Sequence, residues 1–173
     1  MCLKSVTETP KIAKEDIVVY KCFRSVKERY SSKPYRDMRT LFLEKEVSHD
    51  EMTGKVPFVG KGDREVTHVK DHFRVGAGYI HAYLLKDVAK QVLHDYFIGK
   101  DWYFPVVVKV TIPKGTKYFE GNDTHDLPCI AAEQIIIGEC LDCFVDGKFY
   151  DFNEYVSSLE KTKSASHERQ PFE

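Results

Sequence analysis

Hydrophobic residues recur at every second position in the stretch that ends at Ile112. Val106, Val108 and Val110 belong to this series, and a period of two predicts a β-strand with one face packed on a core. The strand is followed by Pro113-Lys114-Gly115. Because proline fixes φ and glycine accepts positive φ, the chain is expected to turn at this point.

A second predicted strand follows a polar loop and carries a carboxylate near its start. The loop is expected over Gly121–Pro128 and the strand over Cys129–Ile137, because turn-forming residues give way to an apolar run. Glu133 lies just before three consecutive isoleucines. Burial at such a position can raise the pKa of the carboxyl or favour pairing with a cation, so Glu133 is a candidate functional residue. The plain alternative is a strand-end glutamate in water.

Three further segments have strand-like patterns. Ile17–Phe23 is short and rich in β-branched and aromatic residues, which favours a central strand, and Leu41–Leu43 opens another. Glu65–Phe73 alternates between two faces, which places His68 and His72 on the same face of one strand. A zinc site needs more ligands than two histidines, so no metal is expected and this face is interpreted as solvated.

One segment has the period of an amphipathic helix, and Gly99 is its expected C-terminal cap. Its apolar stripe consists of Leu85, Val88, Ala89, Val92, Leu93 and Tyr96. Further along the chain, Asp146-Gly147 between apolar runs predicts a two-residue hairpin turn. Asn153 is expected to cap a short last helix that ends near Lys161.

These elements predict an α+β fold with a mixed, strand-rich sheet core, one main amphipathic helix, and a C-terminal hairpin followed by a short helix. Residues 1–16 are expected to form an N-terminal arm, residues 17–161 a single domain and residues 162–173 a disordered tail. Ordered structure is accordingly expected to begin at Ile17. A chain of 173 residues with 42% hydrophobic content can bury a substantial core.

Charge and cysteine content narrow the class of protein. The chain has 26 lysine and arginine residues and 27 aspartate and glutamate residues, which gives a net charge of −1. This charge is too small to create a general electric field that would hold nucleic acid or an anionic membrane. No apolar run has the length of a membrane span, and no signal peptide is recognised. The five cysteines are an odd number, so free thiols and a cytoplasmic location are expected. The oligomeric state stays open.

Two cysteine arrangements are candidates for a functional site. Cys140 and Cys143 have the spacing of a redox or zinc pair, but an offset of three on a strand is expected to place them on opposite faces. Cys129 lies near His125, which can activate a thiol, although a core or loop cysteine is the more common outcome. Neither arrangement is predicted to be a functional site.

The order of several short motifs resembles the catalytic half of mono-ADP-ribosyltransferases of the Arg-Ser-Glu type. The motifs are Tyr20-Lys21, Gly78–Leu84 at the entrance to a helix, Val108–Lys117 and Ala132–Ile137. In that family the first motif binds a dinucleotide, a Ser-Thr-Ser segment braces the site, and a Glu-x-Glu pair holds the ribose and activates the acceptor. The resemblance implies the same fold and a cleft for NAD or an ADP-ribose-like ligand. The chain also resembles small proteins of gut bacteria and their phages that begin with Met-Cys-Leu, a resemblance that implies no function.

The motifs depart from the family pattern at three places. Lys21 replaces an arginine whose planar fork grips phosphate, and His81-Ala82-Tyr83 replaces Ser-Thr-Ser. Ile135 replaces the second glutamate of the pair. By this resemblance Glu133 is the one candidate catalytic acid, so recognition of a nucleotide or ADP-ribose-like ligand without efficient catalysis is the leading hypothesis.

The resemblance also implies a set of ligand contacts. Cations would contact phosphates, aromatic rings and an imidazole would contact the rest of the ligand, and Glu133 would bind a ribose hydroxyl. The implied ligand-binding residues are Lys21, Arg24, Tyr79, His81, Tyr83 and Gln134. Three alternatives stay open. The aromatic residues belong to the core and the cations to the surface; or the protein is an active transferase that uses Glu133 or the more distant Glu139 with a non-protein acceptor; or it is a phage-encoded interaction or assembly protein whose cleft is filled.

Overall fold

The computed structural model describes residues 3–25, 35–37, 46–97 and 105–167. These residues form an α+β fold, in which a strand-rich antiparallel sheet carries three helices. The helices are α1 (His49–Met52), α2 (Lys86–Phe97) and α3 (Phe152–His167). The strands are β1 (Leu3–Ser5), β2 (Lys11–Ile12), β3 (Ile17–Ser25), β4 (Tyr35–Asp37), β5 (Phe58–Val59), β6 (Val66–Val69), β7 (His72–Val75), β8 (Ile80–Tyr83), β9 (Pro105–Ile112), β10 (Lys117–Asn122), β11 (Pro128–Ala132), β12 (Gln134–Val145) and β13 (Lys148–Asp151).

The main path of the sheet runs in the order β13-β12-β9-β3-β8-β11-β10-β1-β7-β6. β9 is the strand expected from the period-two pattern, and its Val110 lies opposite Val19 of β3 and Ile137 of β12. Val107 is as fully buried as Val106. The first half of β9 therefore has two buried faces, because α2 packs over the second one.

The sheet buries a cluster of side chains on each face. The first-face cluster includes Phe23 and Ile135 and is covered by residues of α1 and α3. The second-face cluster includes Tyr83 and lies under Ala89 and Leu93 of α2. Successive residues of a strand point to opposite faces, so the parity of a residue along its strand decides which cluster it joins.

Helix α2 confirms the predicted amphipathic segment except at its start. Ala89 and Leu93 are fully buried, whereas Leu85 is 59% exposed. The prediction that Leu85 belongs to the buried stripe is wrong because this residue precedes the helix, where helical spacing does not apply. The side chain of Tyr96 and the expected cap Gly99 lie outside the described residues.

The N-terminal segment is part of the sheet instead of an arm. β1 lies between β10 and β7, and Leu3 is fully buried, so the prediction that order begins at Ile17 is wrong. Gly121 lets β1 approach, because a Cβ atom there would lie 1.9 Å from the Lys4 carbonyl oxygen. Gly121 therefore lies inside β10, and the loop expected from this glycine onward is confined to residues 123–127.

Residues Glu65–Phe73 contribute to a hairpin, not to the single strand expected from their alternation. β6 and β7 pair across a turn in which Lys70 takes a φ of 52°. His68 lies opposite Phe73, and the two rings stack with centroids 5.0 Å apart. His72 belongs to the neighbouring cross-strand pair. The two histidines therefore occupy opposite faces, and the expectation that they share one is wrong.

The C-terminal hairpin is confirmed, and a different residue from the expected one caps the helix after it. Asp146 and Gly147 take positive φ values of 50° and 78° at the turn between β12 and β13. Asp151 Oδ1 accepts the N–H of Glu154 at 3.0 Å. Asp151 therefore acts as the N-terminal cap of α3, and the assignment of this role to Asn153 is wrong.

Helix α3 extends into the segment that was expected to be disordered from residue 162. It continues to His167, and Phe152 and Tyr155 near its start pack on the first-face cluster. The prediction of disorder is therefore wrong as far as His167. Residues 168–173 and the strand predicted at Leu41–Leu43 lie outside the described part of the chain. No helix within that part is long and apolar enough to cross a membrane.

Candidate functional site

Two glycines let two loops cross close to Glu133. A Cβ atom on Gly60 would lie 2.4 Å from the Gly78 carbonyl oxygen, and Gly78 takes a φ of +81°. Because neither position has room for a side chain, the loop that follows β5 passes directly over Gly78. β5 itself pairs with the first residues of β12. Together these contacts bring Arg64 beside Glu133.

Glu133 lies in a bend between β11 and β12, so the strand predicted over Cys129–Ile137 is two strands with a corner. Its N–H donates to the Lys117 carbonyl oxygen at 3.1 Å. Its Oε1 lies 3.5 Å from Nη1 of Arg64, and the two side chains are 24% and 47% exposed. The carboxylate is therefore at the surface and paired with a cation, an arrangement that contributes at most about 1 kcal/mol to stability.

Tyr79 follows Gly78 in this loop crossing and is 6% exposed. Its ring packs edge-on against Phe119, with centroids 5.5 Å apart. Burial raises the pKa of the Tyr79 hydroxyl, the charge of Glu133 raises it further, and the charge of Arg64 opposes the rise. The neutral hydroxyl is a hydrogen-bond donor near a carboxylate and a guanidinium. We call this group the Arg64–Tyr79–Glu133 site.

His81 and Tyr83 lie inside the fold, where each has a partner. His81 Nε2 lies 3.0 Å from the Val75 carbonyl oxygen, and the Tyr83 hydroxyl donates to Asp123 Oδ2 at 3.1 Å. His81 is 5% exposed and Tyr83 is fully buried. These contacts join β8 to β7 and to the loop after β10. In this structure both side chains therefore hold neighbouring parts of the fold together.

The two predicted phosphate-binding cations do not belong to this surface group. Lys21 is fully buried, and its Nζ donates to the His81 carbonyl oxygen at 2.6 Å. Lys21 lies two residues before Phe23 on β3, so both side chains point toward the first face. The Phe23 ring centroid lies 5.7 Å from Nζ of Lys21. Tyr79 belongs to the second-face cluster. Arg24 is half-buried near the end of β3, where β4 pairs with that strand.

The two residues after Glu133 are held by the fold. Gln134 Nε2 donates to Thr116 Oγ1 at 3.4 Å. Ile135 is fully buried and lies opposite Phe58 of β5. The position of a second glutamate in the family pattern therefore points into the core, not toward the Arg64–Tyr79–Glu133 site.

Sequence reasoning missed Arg64, the cation that contacts Glu133. Arg64 follows the turn-rich stretch Gly60-Lys61-Gly62-Asp63, and the sequence around it shows no motif of a binding site. The available signal was the pair Gly60 and Gly78, each of which requires a close backbone approach. The sequence does not say which segments approach, because their partners lie far along the chain.

Irregular pairing in β12 changes the relation between Cys140 and Cys143. Cys140 lies opposite Val108 and Cys143 opposite Val106, so both residues face the first-face cluster. The prediction of opposite faces is wrong because the register shifts on either side of Cys140. Burial raises the pKa of the Cys143 thiol to about 12. Among the described residues, no group of three or more His, Cys, Asp or Glu could hold a metal ion.

An apolar cavity of about 30 Å³ lies beside the first-face cluster. None of the residues that line it belongs to the Arg64–Tyr79–Glu133 site. The cavity is lined by Phe23, Val47, Met52, Val108, Ile137, Gly138 and Cys140.

Comparison with known proteins found no relative: no protein-family model, no curated protein and no solved structure matched the chain. The resemblance to ADP-ribosyltransferases stays a prediction that rests on the motifs quoted above.

Proposed function

We propose that the protein recognises a nucleotide or an ADP-ribose-like ligand at the Arg64–Tyr79–Glu133 site and does not transfer ADP-ribose efficiently. The observation that carries this proposal is the half-exposed guanidinium of Arg64 beside the carboxylate at the start of β12. A guanidinium can bind phosphate through two parallel hydrogen bonds. A carboxylate accepts hydrogen bonds from ribose hydroxyls, and the Tyr79 hydroxyl can donate one more.

The location of the site supports this assignment of roles. Arg64 keeps 47% of its side chain in solvent while it contacts Glu133, so a phosphate can reach its remaining N–H groups. The backbone of Glu133 is held by its hydrogen bond to Lys117, and its carboxylate is in contact with Arg64, so a ligand has little ordering to impose on it. The ligand proposed on the motif resemblance therefore meets a different cation, Arg64 in place of Lys21.

The core position of Ile135 supports the proposal that transfer is inefficient. The family chemistry uses two acids, two residues apart, which together hold the ribose and activate the acceptor. Ile135 has no ionisable group, and its side chain is completely buried. Efficient transfer would need a second acid, and a glutamate in place of Ile135 would be directed into an apolar cluster.

Calorimetry with NAD and with ADP-ribose tests the proposal. At least one of the two compounds is expected to bind the intact protein. Glu133→Gln and Arg64→Gln should each weaken binding roughly 10- to 100-fold, because each removes a charged hydrogen-bond partner of the ligand. Glu120→Gln is the matched control, since Glu120 is also a surface carboxylate in an ion pair, with Lys11 at 2.7 Å. It should leave the affinity unchanged.

Covalent labelling separates recognition from catalysis. Incubation of the protein and a cell extract with labelled NAD is expected to leave no label on protein. Efficient labelling that is lost in Glu133→Gln would establish the alternative of an active transferase. Absence of any binding by NAD and ADP-ribose, or equal effects of Glu133→Gln and Glu120→Gln, would overturn the proposed ligand site.

A second candidate function is that of an interaction or assembly protein without a ligand. The observation that favours it is the burial of Lys21, His81 and Tyr83, three of the expected ligand contacts, which make hydrogen bonds within the fold. If the calorimetric experiment finds no binder, this second candidate replaces the first. It requires a surface that fits a macromolecular partner.

A further inference from the structure

Four adjacent strands at one end of the sheet align a row of exposed polar side chains. Asn122 of β10 lies opposite Lys4 of β1, Lys4 lies opposite Arg74 of β7, and Arg74 lies opposite Thr67 of β6. All four residues are exposed. We call them the donor row, because each side chain has a hydrogen-bond donor and none has a carboxylate.

The centre of the donor row is a pair of like charges. Lys4 and Arg74 are direct neighbours across antiparallel strands, with Cβ atoms about 5 Å apart, an arrangement that destabilises a sheet. Among the residues that the structure describes, neither cation has a carboxylate within ion-pair distance. Of the nearby acids, Glu120 pairs with Lys11 at 2.7 Å, and Asp71 Oδ1 lies 3.2 Å from Nδ1 of the adjacent histidine. Glu65, two residues before Thr67, is exposed and lies on the same face of the sheet.

We propose that the donor row is a docking surface for an acidic segment of a protein partner. Carboxylates are the complementary groups for an ammonium and a guanidinium, and their binding would relieve the repulsion between Lys4 and Arg74. The amide of Asn122 and the hydroxyl of Thr67 can donate to further oxygens at the two ends. The row covers three inter-strand spacings of about 4.8 Å, which matches about four residues of an extended peptide.

A protein partner fits this surface better than a nucleic acid does. Single strands bind to sheets by stacking their bases on aromatic rings, and the donor row has none. The net charge of −1 for the whole chain also gives no general attraction for a polyanion. The complementarity is local and concerns two cations, as expected for a short acidic stretch.

Fluorescence anisotropy of a fluorescein-labelled peptide of alternating Glu and Ser residues, titrated with the full chain, tests the proposal. Binding is expected and should weaken as salt is added. The double variant Lys4→Gln/Arg74→Gln should bind about tenfold more weakly than the parent protein. The matched control is Lys61→Gln/Lys148→Gln, which removes the same charge from two other exposed positions. It should bind within about twofold of the parent.

A charge reversal distinguishes a docking role from a structural one. Lys4→Glu converts the like pair into an opposite pair, so the melting temperature should rise while peptide binding falls. A fall in both the melting temperature and the peptide affinity would mean that Lys4 stabilises the fold. Failure of the parent protein to bind the peptide, equal losses in the two double variants, or tighter binding of oligothymidylate than of the peptide would overturn the proposal.

Discussion

The thiol of Cys143 makes stability sensitive to high pH. Burial raises its pKa from 9.0 to about 12 in the folded protein. Between these values the unfolded thiol releases its proton while the folded one keeps it, so unfolding releases a proton and a rise in pH favours the unfolded state. The contribution of Cys143 is therefore complete below about pH 9 and is lost as the pH rises toward 12.

Urea unfolding measured from pH 8 to pH 11 tests this assignment. We expect Cys143→Ala to show a shallower decline of the unfolding free energy with pH than the parent protein does. Cys140→Ala removes a thiol from the same strand and leaves Cys143 in place, so the decline should keep its slope. Identical slopes for Cys143→Ala and the parent would contradict the raised pKa.

Individual residues were the least predictable part of the site. The position of Glu133 at the start of an apolar strand was visible in the sequence, because three isoleucines follow it closely. The burial of Lys21 was not, since lysine is almost never fully buried without a partner, and its partner is a backbone carbonyl sixty positions away. Arg64 was missed for the same reason: its contact depends on a loop crossing between distant segments.

Leu93 in α2 and Leu85 just before it differ in burial, and this difference tests how the helix packs. Leu93, within the helix, is fully buried, whereas Leu85, just before the helix, is 59% exposed. Leu93→Ala should therefore cost about 2–5 kcal/mol of unfolding free energy, because it leaves a cavity in the second-face cluster. Leu85→Ala should change the stability by less than about 0.5 kcal/mol. Chemical denaturation measures both, and similar losses would contradict the observed packing.

Elements with a local signal were predicted, and elements without one were missed. The period of β9, the stripe of α2 and the Asp146-Gly147 turn are all encoded within a few residues. In the turn between β6 and β7, Lys70 takes a positive φ, and lysine is not a residue type that predicts a turn. β1 has three residues, too few to display a period, and its position depends on strands that follow much later.

At the scale of the molecule, the single strand β1 joins two parts of the sheet. β7 and β6 are attached to the rest of the sheet through β1, and β1 reaches β10 because Gly121 has no side chain. Gly121→Ala would place a Cβ atom 1.9 Å from the Lys4 carbonyl oxygen. We expect a loss of about 1–3 kcal/mol and faster hydrogen exchange in the β6–β7 hairpin.

Gly115→Ala is the control for this substitution. Gly115 takes a φ of +87°, but in the described part of the chain no atom outside its two neighbouring residues lies within 4 Å of a Cβ atom built there. Its replacement should cost about 1–2 kcal/mol for the backbone conformation and leave exchange in the β6–β7 hairpin unchanged. Unchanged exchange of that hairpin in Gly121→Ala would show that β1 does not hold it.

The position of β1 also determines the order in which the chain can fold during synthesis. Leu3 and Lys4 are synthesised before their partners Val75 and Asn122, so both edges of β1 can be paired only after β10 has emerged. The β6–β7 hairpin forms from neighbouring residues and can precede both events. Until β10 emerges, one edge of β1 stays open, and the growing chain presents it to any other strand within reach.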